Sequence, residues 1–219
     1  MPIAKLEFNN ELFYVLGALL GDGCIYHWGK EHQVWLVGDE AFTKKFADKL
    51  SFCIGRVVKN YPNRKRGYWF VKISNIKLYD LFGDIRNNLE KIGVLAEKSD
   101  KHVTSLLFVE GFFDAEGCVK IIKEKVRKTP KICLDITNTN HGLLEIIRGM
   151  LDSELGITAN YSSQEAHLGK DGFYRKKIYH LRIYKKEYIR KFFENIHTTK
   201  LKKEKIGYAE NWLKIKLSS

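Results

Sequence analysis

The chain has 219 residues, a formal net charge of +12 and a hydrophobic content of 44%. These values exclude a disordered protein and leave room for one large folded domain or two small ones. The charge favours a polyanionic partner, because a strongly basic surface repels itself unless phosphates neutralise it. No apolar run approaches the roughly 20 residues that cross a bilayer and no N-terminal signal pattern is present, so we expect an intracellular, cytoplasmic protein without a membrane partner.

The first predicted helix covers residues 11–23 and ends in the sequence GALLGDGC. A second predicted helix, TSLLFVEGFFDAEG at residues 104–117, again ends in an acid and a glycine before a cysteine. Small residues stand one turn apart in both segments: Gly17 and Gly21 in the first, Gly111 and Ala115 in the second. This spacing predicts two helices that pack closely against each other, although small residues facing a crowded sheet would give the same pattern.

The segments after each of these helices repeat one order of elements. Alternating apolar and polar residues predict two strands, amphipathic patterns predict a helix, and two strands and a last helix follow. The helices DEAFTKKFADKLSFCIG and NHGLLEIIRGMLDSELG each end at a glycine suited to a C-terminal cap, Gly55 and Gly156. The chain is therefore predicted to be a duplication, with domains at residues 1–100 and 101–219.

Four cysteines, Cys24, Cys53, Cys118 and Cys133, lack the paired spacing of a zinc ribbon and any secretory context. A disulfide framework is therefore not expected. We expect small buried thiols.

The two glycine-rich helices carry a recognisable motif. The sequence VEGFFDAEG at residues 109–117 and, less fully, VLGALLGDG at residues 15–23 resemble the motif of the LAGLIDADG homing endonucleases in their monomeric two-motif form. Leu20 departs from the motif, since an aspartate would stand there. The resemblance extends over nearly the whole chain.

This resemblance implies an α+β fold with pseudo-twofold duplicated αββαββα halves, saddle-shaped antiparallel sheets and the two motif helices packed at the centre. It also implies that Asp22 and Glu116, the last acids of the motifs, hold divalent metal ions, Mg²⁺ or Mn²⁺ as a substitute. Phosphodiester hydrolysis needs an activated water and neutralised phosphate oxygens, which carboxylate-bound metal ions provide. Gly21 and Ala115, which precede the two acids, complete the predicted metal site.

Further catalytic groups are predicted from the same resemblance. The family usually carries a polar residue at the end of the strand before the middle helix, a position that Asn138 fills in the second half. Gly38 or Asp39 stands there in the first half, which predicts asymmetric active sites. A catalytic lysine is expected near each acid, and the candidates are Lys202, Lys98 or Lys101, and Lys120. Asp114 is expected to cap the helix or to make a structural hydrogen bond, and not to bind metal.

The DNA-binding surface is predicted from strand alternation. Residues that alternate with core residues face the groove of a bound duplex, and Lys72 and Arg182 occupy matched positions of this kind. The same reasoning adds Gln33, Trp35, Lys131 and Asp135, while basic residues in turns are predicted to grip phosphates: Arg64, Lys65, Arg66, Lys125, Arg127, Lys128, Arg175, Lys176 and Lys177.

We therefore expect a site-specific homing endonuclease that acts as a monomer, without an obligate protein partner. It would bind a long double-stranded DNA target, cut both strands with divalent metal ions and promote intron mobility. Two alternatives use the same scaffold: an RNA-splicing maturase and a catalytically inactive DNA-binding regulator. The presence of both acids argues against the inactive regulator.

Overall fold

The computed structural model describes residues 5–122 and 130–216. The chain divides into two compact units, Met1–Ala115 and Glu116–Ser219. The division falls at the end of the second motif helix, while the predicted domain boundary between residues 100 and 101 stays a prediction.

In the first unit, helices pack against a single four-stranded sheet. Its elements in chain order are α1 (Glu11–Asp22), β1 (Gly23–Trp28), β2 (Glu31–Gly38), α2 (Glu40–Ile54), β3 (Tyr61–Asn63), β4 (Tyr68–Ser74), α3 (Ile76–Asn87), α4 (Lys91–Ala96) and α5 (Lys101–Glu116), of which the residues through Ala115 belong to this unit. The strands are antiparallel in the order β1-β2-β4-β3. Val34, Leu36, Val71 and Ile73 point into the core with the apolar sides of the helices.

The second unit repeats this arrangement. Its elements are β5 (Gly117–Ile122), β6 (Lys131–Asn138), α6 (His141–Leu155), β7 (Asn160–Gln164), β8 (His167–Leu168), β9 (Tyr174–Arg175), β10 (Ile178–Ile183), α7 (Lys186–Asn195) and α8 (Lys203–Leu213). The main sheet is antiparallel in the order β5-β6-β10-β7, and β8 pairs with β9 in a separate hairpin. Both main sheets thus place their four strands in the order first, second, fourth, third, which confirms the predicted α+β fold built on a duplication.

The two motif helices, α1 and α5, pack against each other within the first unit. A Cβ atom on Gly17 would lie 2.2 Å from the carbonyl oxygen of Phe108, and a Cβ atom on Gly111 would lie 2.1 Å from the carbonyl oxygen of Tyr14. Each glycine thus meets the residue three positions before the other glycine. The prediction of close helix packing is confirmed at these two glycines, where backbone contacts backbone.

Several elements differ from the sequence-based expectation. The sequence at residues 76–93 predicts one helix, but α3 ends at Asn87, because Asn88 is extended (φ −143°, ψ 95°), and α4 follows as a separate short helix. The sequence RVVKNY at residues 56–61 predicts a strand, but the strand in this part of the chain is Tyr61–Asn63. Helix α8 was not predicted; it is fixed by Tyr208, whose hydroxyl donates to the carbonyl of Pro130.

The expectation of buried thiols is correct for Cys53 and Cys133 and wrong for Cys24 and Cys118, which are exposed. The register explains this difference. Cys24 pairs with Trp35, whose side chain alternates with those of the core residues Val34 and Leu36, so Cys24 also points away from the core.

None of the helices within residues 5–122 and 130–216 is long and apolar enough to cross a membrane.

Candidate active site and nucleic-acid interface

The first candidate acid, Asp22, is the last residue of α1 and is exposed. Helix α1 stops there because the next residue, Gly23, turns into β1 while its N–H still bonds the carbonyl of Leu19. A Cβ atom at Gly23 would lie 2.5 Å from that carbonyl oxygen, so a glycine is required directly after the acid. The motif therefore delivers a carboxylate at the junction of a buried helix and a strand.

The second candidate acid, Glu116, is the last residue of α5 and is partly exposed. Its Oε1 accepts a hydrogen bond of 2.8 Å from the side-chain amide of Asn138, at the end of β6. The Oδ1 of Asn138 in turn accepts from the backbone N–H of Asn140, 2.8 Å away, which fixes the orientation of the amide. The structure thus brings together two residues that the sequence predicted for one site, an acid and the amide that orients it.

At the strand end that matches Asn138, the first unit has Gly38, which carries no side-chain amide. Gly38 ends β2 as Asn138 ends β6, and a Cβ atom on Gly38 would lie 2.5 Å from the ring of Phe42. The neighbouring Asp39 caps α2, because its Oδ1 accepts from the N–H of Phe42 at 2.9 Å. The two halves therefore differ at this position.

A buried polar network links α1, α2 and α5. Asp114 is fully buried and accepts hydrogen bonds from the hydroxyl of Tyr14 and from Lys45 Nζ, both at 2.9 Å. Lys45 Nζ also lies 2.9 Å from Glu110 Oε1 and 4.9 Å from the centre of the Tyr14 ring. Burial, followed by the nearby charge of Asp114, raises the pKa of Tyr14 well above its ordinary value. Asp114 thus makes the structural hydrogen bond expected of it.

Sequence reasoning missed Lys45 and Glu110 in this network. Lys45 stands in the amphipathic helix α2, where a charged residue ordinarily faces solvent, and Glu110 is a single acid within the apolar run of α5. Only the packing of α2 beside α1 shows that Lys45 compensates two buried carboxylates.

The candidate catalytic lysines lie in different places. Lys98 is exposed just before α5. Along the chain, the 16 residues of this helix, which is about 24 Å long, separate Lys98 from the end of the helix at Glu116. Lys202 is exposed immediately before α8. Lys120 is ion-paired with Asp135. Another lysine, Lys205, was not predicted; its Nζ donates to the carbonyl of Val119 on β5 at 2.8 Å.

The outer face of the second sheet, which carries Asp135 and Arg182, bears an ordered group of charges. Asp135 is only 1% exposed and contacts three basic side chains. Lys120 Nζ and Arg182 Nε contact its Oδ2, the latter at 3.3 Å, and His180 Nδ1 lies 3.2 Å from its Oδ1. Asp135 thus lies on the predicted face with its carboxylate enclosed by basic side chains, and its contact with DNA stays a prediction.

The outer face of the first sheet, which carries Trp35 and Lys72, is aromatic instead. Trp35 stacks beside Phe70 with 5.9 Å between ring centres, and Lys72 Nζ lies 4.9 Å from the centre of the Trp35 ring. The indole N–H of Trp35 donates to Gln33 Oε1 at 3.0 Å, which holds the ring in place. Gln33 itself is 5% exposed.

The basic residues of the turns remain at the surface. Arg64, Lys65 and Arg66 are exposed between β3 and β4. Arg175 pairs with Asp171, and Lys177 pairs with Glu165 at 2.7 Å. Lys176 is exposed and Lys131 opens β6. The remaining candidates, Lys125, Arg127 and Lys128, lie outside the described residues.

No group of three or more histidine, cysteine, aspartate or glutamate side chains that could hold a metal ion occurs among the described residues. The candidate metal-binding acids Asp22 and Glu116 each stand at the end of one motif helix.

Residues 103–197 match the family model of the LAGLIDADG-like domain. This part of the chain is therefore a LAGLIDADG-like domain, which confirms the family that the motif at residues 109–117 predicted. No curated protein matches the chain significantly in sequence.

The chain is also similar to solved structures over most of its length. The crystal structure of I-DmoI in complex with DNA and Mn has a TM-score of 0.58 and 24% identity, over 87% of this chain and 97% of that chain. Mesophilic variants of the homing endonuclease I-DmoI have a TM-score of 0.58 and 26% identity, over 86% and 96%. Full-length DUF199/WhiA from Thermatoga maritima has a TM-score of 0.59 and 12% identity, over 95% and 61%. The chain thus has the two-domain LAGLIDADG fold.

Proposed function

We propose that the protein is a site-specific homing endonuclease, which binds a long double-stranded DNA target as a monomer and hydrolyses phosphodiester bonds on both strands. In this proposal its activity promotes intron mobility. The observation that carries the proposal is the hydrogen bond between Asn138 and Glu116, because it orients a carboxylate at the end of a LAGLIDADG motif helix.

Asp22 and Glu116 are the proposed ligands for Mg²⁺, with Mn²⁺ as a substitute. Their carboxylate oxygens are hard donors, and Mg²⁺ is usually held by one or two carboxylates together with water and substrate phosphates. The side-chain amide of Asn138 orients the Glu116 carboxylate through Oε1. Gly21 and Ala115 stay in the proposed metal site as the residues that precede the acids. Bound metal ions would lower the pKa of an attacking water and neutralise the phosphate oxygens.

In this proposal, the chain's own residues hold and orient the metal ligands. Asn138 fixes the rotamer of Glu116, as partners of metal ligands commonly do. Asp114 is committed to Tyr14 and Lys45 and takes no part in the chemistry. The proposed catalytic lysines are Lys202 and Lys98, which are both exposed. Lys120, the remaining candidate, is also exposed but is ion-paired with Asp135, and we assign it to DNA contact rather than to catalysis.

The proposed DNA contacts lie on the outer faces of the two sheets and in the basic turns. Three features support them: the net charge of +12, the cations on each outer face, and the similarity to I-DmoI, whose structures are complexes with DNA and Mn or Ca. Cations that neutralise phosphates should make binding weaken as salt rises, with a slope of about 0.9 per phosphate in logarithmic units.

A selection of cleaved sites tests the proposal. The purified protein is incubated with a library of randomised DNA duplexes in Mg²⁺, and the cut molecules are sequenced. We expect one long recognition site with breaks at fixed positions on both strands. Intact duplexes throughout the library, or breaks without sequence preference, would contradict the proposal. A structured intron RNA added as a competitor separates an RNA-binding maturase from a DNA-binding endonuclease.

A further inference from the structure

Asp135 holds two cationic side chains, Lys120 and Arg182, in place. Its carboxylate accepts from Lys120 and Arg182 on one oxygen and from His180 on the other. Burial alone would raise the pKa of Asp135, but the hydrogen bond from Lys120 and the charges of Lys120, Arg182 and His180 hold it below its ordinary value. Asp135 is therefore ionised at neutral pH and anchors these side chains.

The two cations remain open to a ligand although they are anchored. The side chain of Lys120 is 47% exposed and that of Arg182 is 30% exposed. The guanidinium of Arg182 is held through its Nε by Asp135, while Nη1 lies 3.4 Å from the hydroxyl of Ser162 on the neighbouring strand β7. These contacts restrict a long side chain that would otherwise sample many rotamers, and a side chain already ordered loses less entropy when it binds.

The same sheet position carries a held cation in the first unit. Arg182 pairs directly with Asp135 in the strand register, and Lys72 pairs directly with Trp35. Lys72 is held by the face of an aromatic ring and Arg182 by a carboxylate. Two different contacts thus place a cation on the outer face at equivalent points of both sheets, which indicates that the position of the cation matters.

We propose that Arg182 and Lys120 read a guanine in the bound duplex and that Asp135 is the positioning residue that aims them. Arginine and lysine commonly bind the O6 and N7 acceptors of guanine in the major groove, which no other base pair offers in that pattern. The enclosed carboxylate beside them lowers the net positive charge of this group, and a phosphate site would favour a higher one. We therefore infer that the carboxylate orients the two cations. This inference rests on the proposed function and names the base that one part of the site recognises.

The test compares the base preferences of variants. Duplexes bound in Ca²⁺ are selected from a randomised library by the parent and by three variants, Arg182→Met, Lys120→Met and Asp135→Asn. The control is Asp152→Asn on the exposed surface of α6, which also removes one negative charge. We expect a guanine in the parent site whose preference falls about 10- to 100-fold in Arg182→Met and also declines in Lys120→Met, with other positions unchanged. Asp135→Asn should weaken the preference at that same base pair, and the control should leave it intact.

The outcomes separate this inference from the proposed function. A long selected site whose base preferences survive Arg182→Met and Lys120→Met would overturn the inference and leave the endonuclease proposal standing. An equal loss of affinity for every sequence in these two variants would also overturn it, because that result indicates phosphate contacts. If the parent selects no sequence, both proposals fail. Because Arg182 and Lys120 reach the surface, their variants decide the question even if Asp135→Asn does not fold.

Discussion

Asn138 donates a hydrogen bond of 2.8 Å to Glu116, which joins the end of strand β6 to the end of helix α5. The matching strand end in the first unit is Gly38, beside the ring of Phe42, and cannot orient an acid through a side chain. If both acids take part in cleavage, the two halves support them by different means.

Replacing Asn138 with alanine should reduce cleavage more than binding. The change leaves Glu116 in place but removes the group that orients it, and losing such a partner commonly lowers metal affinity or activity about 10- to 100-fold. Cleavage rates over a titration of Mg²⁺ measure the effect, and gel shifts in Ca²⁺ measure DNA affinity. Asn195→Ala, at an exposed asparagine of α7, is the matched control. Unchanged cleavage by Asn138→Ala at limiting Mg²⁺ would remove Asn138 from the site.

Replacing Gly111 with alanine should destabilise the first unit. The new Cβ atom would lie 2.1 Å from the carbonyl oxygen of Tyr14 and 3.0 Å from the backbone nitrogen of Ala18, so the helices must separate. Overpacking of this kind costs about 1–3 kcal/mol, and more where backbone opposes it. The free energy of unfolding in denaturant measures the loss.

The control for that variant is Gly149→Ala in α6. A Cβ atom there meets no atom within 4 Å, so alanine should raise the free energy of unfolding by up to about 1 kcal/mol through helix propensity. If Gly111→Ala is as stable as Gly149→Ala, the close packing of α1 and α5 is not required.

The sequence predicted the repeated elements because their signals are local. Amphipathic spacing, alternation and cap residues such as Gly55 and Gly156, both left-handed in the structure, identify helices and strands one segment at a time. The motif also identified Gly17 and Gly111 as points of close approach, and the structure places each beside the other helix.

The parts that the sequence did not predict depend on contacts between distant residues. Lys45 was overlooked because its partners, Glu110 and Asp114, lie more than 60 residues away. Asp135 was correctly placed on the outer face, yet alternation could not show that Lys120, His180 and Arg182 would enclose it. Exposure of Cys24 and Cys118 followed from the register of β1 and β5, which composition does not reveal.

The cysteines should react in two groups. Cys24 and Cys118 are exposed, whereas burial raises the pKa of Cys53 to about 12 and that of Cys133 to about 11. A thiol reagent at pH 8 should label Cys24 and Cys118 quickly in the folded protein and the other two only after unfolding, as mass spectrometry of peptides would show. Rapid labelling of Cys53 in the folded protein would contradict this.

The same pKa shifts predict a loss of stability in alkali. A raised pKa in the folded state means that the contribution of the thiol is complete below about pH 9, where it is protonated in both states. Between about pH 9 and pH 12 the unfolded chain ionises Cys53 first, so the free energy of unfolding falls as pH rises. Cys53→Ala should show a weaker fall over this range in denaturant titrations at several pH values.

The most direct test of the account uses Glu116→Gln on one selected duplex. Glutamine keeps the size of the side chain but removes an anionic ligand, so metal binding and cleavage should be lost. DNA affinity should survive, because the proposed contacts come from the sheets and turns. Removing a negative charge from the protein also does not weaken the binding of DNA, which is a polyanion. Binding is measured by gel shift in Ca²⁺ and cleavage in Mg²⁺, with Glu97→Gln at an exposed position as the control. We expect retained binding without cleavage for Glu116→Gln, and full double-strand cutting by that variant would contradict the proposal that Glu116 binds the metal.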